Sequence, residues 1–221
     1  MHPNSDNDFL TKTELAKRHI QTLVLSGVYA PGDRITTREV ARALGISDTP
    51  IREAVQSLAS EGWLSVQQHV GAVVQGVTVE QVREVSRLRG SVGALAVQVG
   101  SSAFDEARLR AIDDNLAEMQ HALDHDDYDS FGMKNYEFHD LICDRDHAPW
   151  CRRFLDSLYG HMSPKRLHIT PTKERMTAAL QEHRDIQAML REGNFSEAAH
   201  RVDIHEQNAG DFFLDILLKD Q

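Results

Sequence analysis

Cysteine, aromatic residues and long apolar runs are all scarce in this chain. Only Cys143 and Cys151 occur, without CxxC spacing, which argues against a disulfide framework and fits a reducing cytosol. No stretch approaches the roughly 18 consecutive apolar residues of a transmembrane helix, so no membrane partner is expected. The opening residues, MHPNSDNDFLTKTE, are polar and acidic and lack a basic region followed by an apolar run. That excludes an ordinary secretory signal and leaves a cytoplasmic location as the expectation. Aromatics make up only 6%, while Leu, Ala, Glu and Arg are abundant, a balance that leans towards helix. Neither a Gly-rich phosphate loop nor a nucleophile elbow is visible, and there is no internal repeat or low-complexity tract.

What is present is a chain of 221 residues with 41% hydrophobic and 26% charged residues, able to bury one large or two small cores. The net charge of −10 is unevenly spread. Residues 1–77 carry 7 Lys and Arg against 8 Asp and Glu, and residues 78–221 carry 17 against 26. A pI near 5.6 argues against non-specific coating of nucleic acid. Sequence-specific binding by a local patch is compatible with it.

The periodicity divides the chain into two parts. After a polar N-terminus, 1–10, expected to be disordered, Leu15, His19, Ile20, Leu23 and Val24 mark a helix over 11–26, opened by a Thr11-x-x-Glu14 capping box. Pro31-Gly32 makes a turn. A short helix follows over 37–44, stopped by Gly45. Ile46 to Thr49 form a tight turn, and Pro50 suits the first turn of the next helix. That helix carries Ile51, Val55, Leu58 and Ala59 on one face and stops at Gly62. Helix, short turn, helix is the helix-turn-helix pattern. Two strands, 63–67 and 71–75, then form a β-hairpin wing. From Thr78 onward no strand signal appears. Helical patterns run over 79–99, 104–124, 128–145, 150–168, 173–192 and 196–218, an antiparallel bundle. The expected fold is mainly α: a winged helix-turn-helix over 11–77 and an all-α bundle over 78–221, joined covalently through Gly76-Val77-Thr78.

Histidines supply the other signal. Asn135 and His139 are four apart on a helix face marked inward by Phe138 and Ile142. His183 lies on the stripe of Ala179, Leu180, Ile186 and Leu190, and His205 on that of Ala198, Val202 and Ala209. Each alone reads as a core histidine. Three on the inward faces of three helices are harder to bury unpaired, and neutral imidazole suits zinc, nickel or copper.

The run from Gly27 to Val74, with Pro31-Gly32, Gly45, Ser47, Thr49-Pro50, Arg52-Glu53, Leu58, Glu61-Gly62 and Gly71 in register, resembles the winged helix-turn-helix of the GntR family of bacterial repressors. The remainder is similar to the FCD effector domain of the FadR subfamily, in its shorter, VanR-like branch. The resemblance implies a homodimeric transcriptional regulator on a palindromic operator in double-stranded DNA, answering to a small-molecule effector. It places Arg38 and Arg52 among the DNA-contacting arginines, and arginine forks onto guanine or clamps phosphate. Thr37, Ser47, Thr49 and the wing residues Gln68, His69 and Gly71 complete the expected interface. Asp48 stands where many relatives carry arginine; its carboxylate is repelled by phosphate unless it accepts from cytosine N4 or orients Arg52, so the operator is not to be borrowed from the family.

The same resemblance implies a divalent transition metal, zinc or nickel, held by Asn135, His139, His183 and His205, with Asn135 in place of the usual aspartate. It also implies a carboxylate effector met by Arg89. Relatives often carry a glutamate four residues after that arginine; Gly93 stands here, which leaves Arg89 without its usual partner. The competing reading is a metal-dependent hydrolase with Glu182 as base. It leaves the N-terminal third unexplained, and Glu182 and His183, as neighbours on a helix, point in different directions.

Overall fold

The computed structural model describes residues 10–67, 71–167 and 169–219. Residues 1–9 of the segment expected to be disordered, and Gln68 and His69 of the expected wing tip, lie outside them. The chain forms two units, Met1–Val77 with Lys165–His168, and Thr78–Pro164 with Ile169–Gln221.

The first unit begins with α1 (Lys12–Leu25). Thr11 caps it, accepting from the Glu14 amide while the Glu14 carboxylate accepts from the Thr11 N–H, the expected capping box. β1 (Arg34–Ile35) leads into α2 (Thr37–Leu44), which Gly45 ends at φ 65°. That left-handed conformation costs glycine nothing. α3 (Asp48–Ser60) follows from its N-cap Ser47. β2 (Leu64–Gln67) and β3 (Gly71–Val74) form the wing hairpin, in register Leu64 to Val74 and Gln67 to Gly71. β1 adds to the far edge of β3, giving the antiparallel order β1-β3-β2. This third strand is not expected from the sequence, because two residues cannot display a period of two.

Ile20, Ile35, Ile51, Leu58, Trp63 and Val74 close one apolar core beneath the sheet and helices. Glu61 accepts from Lys17 of α1 and from Ser57, tying the end of α3 to α1. The short helix α8 (Pro164–Leu167) contributes Arg166 to this unit. Its guanidinium lies 4.1 Å over the Trp63 ring and donates to the Gly62 carbonyl at 2.8 Å. The chain thus enters the first unit twice, so Gly76-Val77-Thr78 is not the only covalent connection.

The second unit is all-helical. α4 (Val79–Val99) starts at a Thr78–Gln81 capping box. α5 (Glu106–Asp124), α6 (Tyr128–Ile142), α7 (Pro149–Tyr159), α9 (Lys173–Arg191) and α10 (Phe195–Lys219) follow. Asp105, Asp127 and Thr172 each accept an amide at a helix start. α7 is shorter than the pattern over 150–168 suggests. It passes through a 3-10 turn (Gly160–Met162) to Ser163, which is extended because a residue before proline is driven from the helical region. α4 packs on α10 and α7, α5 on α6 and α9, and α9 on α10. Phe138, Ile112, Met119, Leu180, Ile186 and Val202 fill the centre.

Glycine sets the approach of α4 to α10. A β-carbon at Gly210 would lie 2.6 Å from the Ser86 side chain, and one at Gly90 3.3 Å from the Asp203 Cα. Gly210→Ala should therefore overpack this contact and cost about 1–3 kcal/mol. Thermal unfolding of the variant checks this; an unchanged melting temperature would mean the helices separate freely.

Candidate functional site

Three imidazoles meet in the middle of the bundle. His139 comes from α6, His183 from α9 and His205 from α10, all buried. The Nε2 atoms of His183 and His205 lie 3.2 Å apart, and those of His205 and His139 3.3 Å. Facing Nε2 atoms at this separation bond one another only if one carries a proton; three lone pairs aimed at one point are a ligand set for a cation. Burial first, then the neighbouring His205, pushes the protonation of His139 and His183 well below the ordinary 6.5. Both stay neutral, the form that ligates. Among the described residues these three are the one group of His, Cys, Asp or Glu side chains clustered tightly enough to hold a metal ion.

The backs of the rings are held differently. His205 Nδ1 lies 2.6 Å from Glu182 Oε2. Arg175 grips that carboxylate with two 3.0 Å hydrogen bonds, and Asn208 adds another. Burial would raise the Glu182 carboxyl, but His205 and Arg175 hold it down at about 2. His183 stacks on Phe138, ring centroids 3.8 Å apart, and its Nδ1 has no hydrogen-bond partner. His139 Nδ1 faces Glu206 at 3.5 Å. A carboxylate behind an imidazole fixes the proton on Nδ1 and leaves Nε2 free for a metal. This donor set fits a borderline-soft divalent ion.

Asn135 stands one turn before His139 on α6 and is half-buried. Arg89 is buried, donates to Glu206 at 3.0 Å and lies 4.5 Å over the Tyr159 ring. It therefore has a carboxylate partner, supplied by α10. At position 93 a side chain would meet Val202, since even a β-carbon there would come within 2.9 Å of it. Sequence reading missed Glu206 and the supporting role of Glu182. Glu182 and Glu206 directly precede and follow ligand-type histidines, and only the packing shows which ring each one backs.

In the first unit Arg38, Ser47, Asp48, Thr49 and Arg52 are all exposed, and Thr37 and Gly71 are half-buried. The Ser47 side chain makes no capping bond at the start of α3, which leaves amide donors there for an anion. Exposed Arg34 lies over Gly71, its Nε 3.3 Å from where a β-carbon would be. It adds a cation beside the start of β3 that sequence reading did not single out.

An exposed helix-turn-helix with a wing, followed by a helical bundle with a polar centre, is the architecture of a winged-helix regulator with a second, all-helical domain. The family described as bacterial regulatory proteins, gntR family, matches residues 12–74, and the FCD domain matches residues 84–208. The chain belongs to the GntR family of helix-turn-helix regulators with an FCD domain, and is a DNA-binding transcriptional regulator.

It is 26% identical over 187 residues, 84% of each chain, to the uncharacterized HTH-type transcriptional regulator YdhC of Bacillus subtilis (strain 168). To the HTH-type transcriptional repressor RspR of Escherichia coli (strain K12) it is 24% identical, over 80% of this chain and 78% of that one. The solved structure of E. coli McbR/YncC has the same fold, with a TM-score of 0.79 at 22% identity, covering 95% of this chain and all of that one. No helix among the described residues is long and apolar enough to cross a membrane.

The neutral histidines make stability depend on pH. Unfolded imidazoles take up protons below about 6.5, while folded His139 and His183 do not, so the unfolded state gains protons and stability falls on acidification. Glu182 adds a second loss in the same direction, from the ordinary 4.5 down towards 2. The melting temperature of metal-free protein should therefore decline from about pH 7 to about pH 5. A flat profile over that range would contradict the burial of these rings as neutral bases.

Proposed function

We propose that this regulator binds a palindromic operator in double-stranded DNA as a homodimer and acts as a repressor. A small carboxylate modulates its grip by binding at a divalent metal, zinc or nickel, in the bundle. The convergence of three Nε2 atoms at 3.2 and 3.3 Å carries this reading. His139, His183 and His205 would hold the ion, with the Asn135 carbonyl as fourth ligand; a bound divalent ion offers a positive centre to a carboxylate oxygen. Arg89 binds Glu206 through Nη2, while its buried Nε has no hydrogen-bond partner and remains available to the effector.

On the DNA side, Arg38 and Arg52 are the proposed arginine contacts. Thr37, Ser47, Asp48, Thr49, Gly71 and the wing residues Gln68 and His69 complete the surface. The VanR-like branch of the FadR subfamily is the proposed placement within the family. Homodimer formation is supported by exposed apolar side chains on two packed helices, Leu95 and Val99 on α4 with Trp150 and Phe154 on α7. Such residues mark an association surface, and a two-fold pair doubles the base pairs one winged helix reads.

Arg52→Ala should weaken operator binding by about 1–3 kcal/mol while leaving the fold intact. Gel shift against the DNA upstream of the gene checks it, and unchanged affinity removes Arg52 from the interface. Protein purified without chelator should carry one zinc or nickel per chain. His183→Ala should lose it, and Asn135→Asp should bind it more tightly by restoring charge. With metal bound, an effective acid should change operator affinity roughly 5- to 150-fold, and this response should disappear in His183→Ala. An acid that binds the bundle yet leaves operator affinity unchanged would remove the sensory role.

A further inference from the structure

Glu206 follows His205 on α10, yet its carboxylate serves a different imidazole. Successive helix residues point in different directions. His205 turns its Nδ1 to Glu182, whereas Glu206 reaches the Nδ1 side of His139, with Oε1 at 3.5 Å. Arg89 Nη2 sits 3.0 Å from both Glu206 oxygens. Two matching chains of groups therefore run into the centre, Arg175–Glu182–His205 and Arg89–Glu206–His139. The first is partly open to solvent; in the second the Glu206 side chain is only 2% exposed and Arg89 8%.

A pair buried this deeply is a poor stability device. Both charges lose their hydration, and well-packed apolar residues of the same volume are commonly as stable. The pair is also incompletely satisfied: Arg89 Nη2 hydrogen-bonds Oε1 alone, its 3.0 Å approach to Oε2 is an ion-pair contact without a hydrogen bond, and Arg89 Nε has no hydrogen-bond partner. What the position provides is a fixed negative charge behind one of the three converging rings.

We propose that Glu206 is a positioning residue of the trihistidine centre. It keeps the His139 proton on Nδ1, so that the Nε2 lone pair faces His183 and His205, and Arg89 holds the Glu206 carboxylate in place. At 3.5 Å the contact is an electrostatic one rather than a formed hydrogen bond, and it strengthens when Nε2 donates to a cation and Nδ1–H becomes more acidic. The part concerning ion affinity rests on the metal-centre reading above; the part concerning the His139 tautomer does not.

The test compares the full-length protein with two variants. Glu206→Gln keeps size and removes charge. Arg89→Met/Glu206→Met removes both charges together, so that no unpaired ion is left in the core and folding is retained. Zinc affinity is measured by competition with a chromophoric chelator. The His139 tautomer is read in the zinc-free protein from two-bond proton–nitrogen NMR spectra, assigned with His139→Gln.

The wild type should show His139 with its proton on Nδ1 and bind one zinc. The double variant should lose that single tautomer, and both variants should bind zinc about 10- to 100-fold more weakly. Wild-type zinc affinity and an unchanged tautomer in the folded double variant would overturn the proposal and leave Glu206 as the counter-ion of Arg89 alone. If the wild type binds no zinc, the metal centre fails by itself. The tautomer comparison then still decides the role of Glu206: loss of the Nδ1–H form in the double variant supports it and retention refutes it.

Discussion

Burying three imidazoles at one point is the constraint around which the bundle is arranged. Each ring is polar, and each would lose hydration without compensation if its nitrogens were left unpaired. The structure handles them as neutral bases whose Nε2 atoms face one another at 3.2 and 3.3 Å. Carboxylates stand behind two rings, and Phe138 stacks on the third. Each device comes from a different helix from the ring it serves. The centre therefore exists only when α6, α9 and α10 are packed together, with α4 bringing Arg89 against α10. Glycines at 90 and 210 allow that approach. An event at the centre is in this way linked to the helix packing of the whole domain.

The arrangement also accounts for the separation of roles between the two units. The N-terminal unit has its own core around Ile20, Ile51, Leu58 and Trp63 and exposes the start of α3 with Arg52. Exposed cationic and hydroxyl side chains there, Arg38, Ser47, Thr49 and Arg52, are the proposed contacts to phosphates and base edges. The bundle is acidic overall, and two of its arginines, Arg89 and Arg152, are buried. Arg166, whose segment Lys165–His168 interrupts the bundle sequence, is packed against Trp63 and the Gly62 carbonyl just beyond α3. The segment that follows α7 is thereby part of the DNA-binding unit, a second covalent link besides the Val77–Thr78 junction.

Much of this was legible in the residues. Gly45 and Pro50 bracket the turn between α2 and α3, and Thr11 with Glu14 announces α1, because capping chemistry is local. The three histidines could be read from apolar stripes, since a side chain on a buried stripe must be accommodated by its neighbours. What could not be read depends on tertiary placement. β1 is too short to show alternation. α7 stops at Tyr159 because the chain turns through Gly160–Met162 to the extended Ser163. Glu206 is adjacent to His205 in sequence, and no periodic rule says that it faces His139. The missing partner of Arg89 seemed a vacancy on α4; the glutamate comes from the opposite helix, and Val202 fills the space beside Gly93.

The central claim is that His139, His183 and His205 form one metal centre through their Nε2 atoms. X-ray absorption fine structure at the zinc or nickel edge, on protein purified without chelator, tests it most directly. The account predicts three imidazole nitrogens at about 2.0–2.1 Å for zinc, with oxygen completing the shell. A spectrum with one imidazole or none, or with sulfur in the shell, would place the ion elsewhere and contradict it.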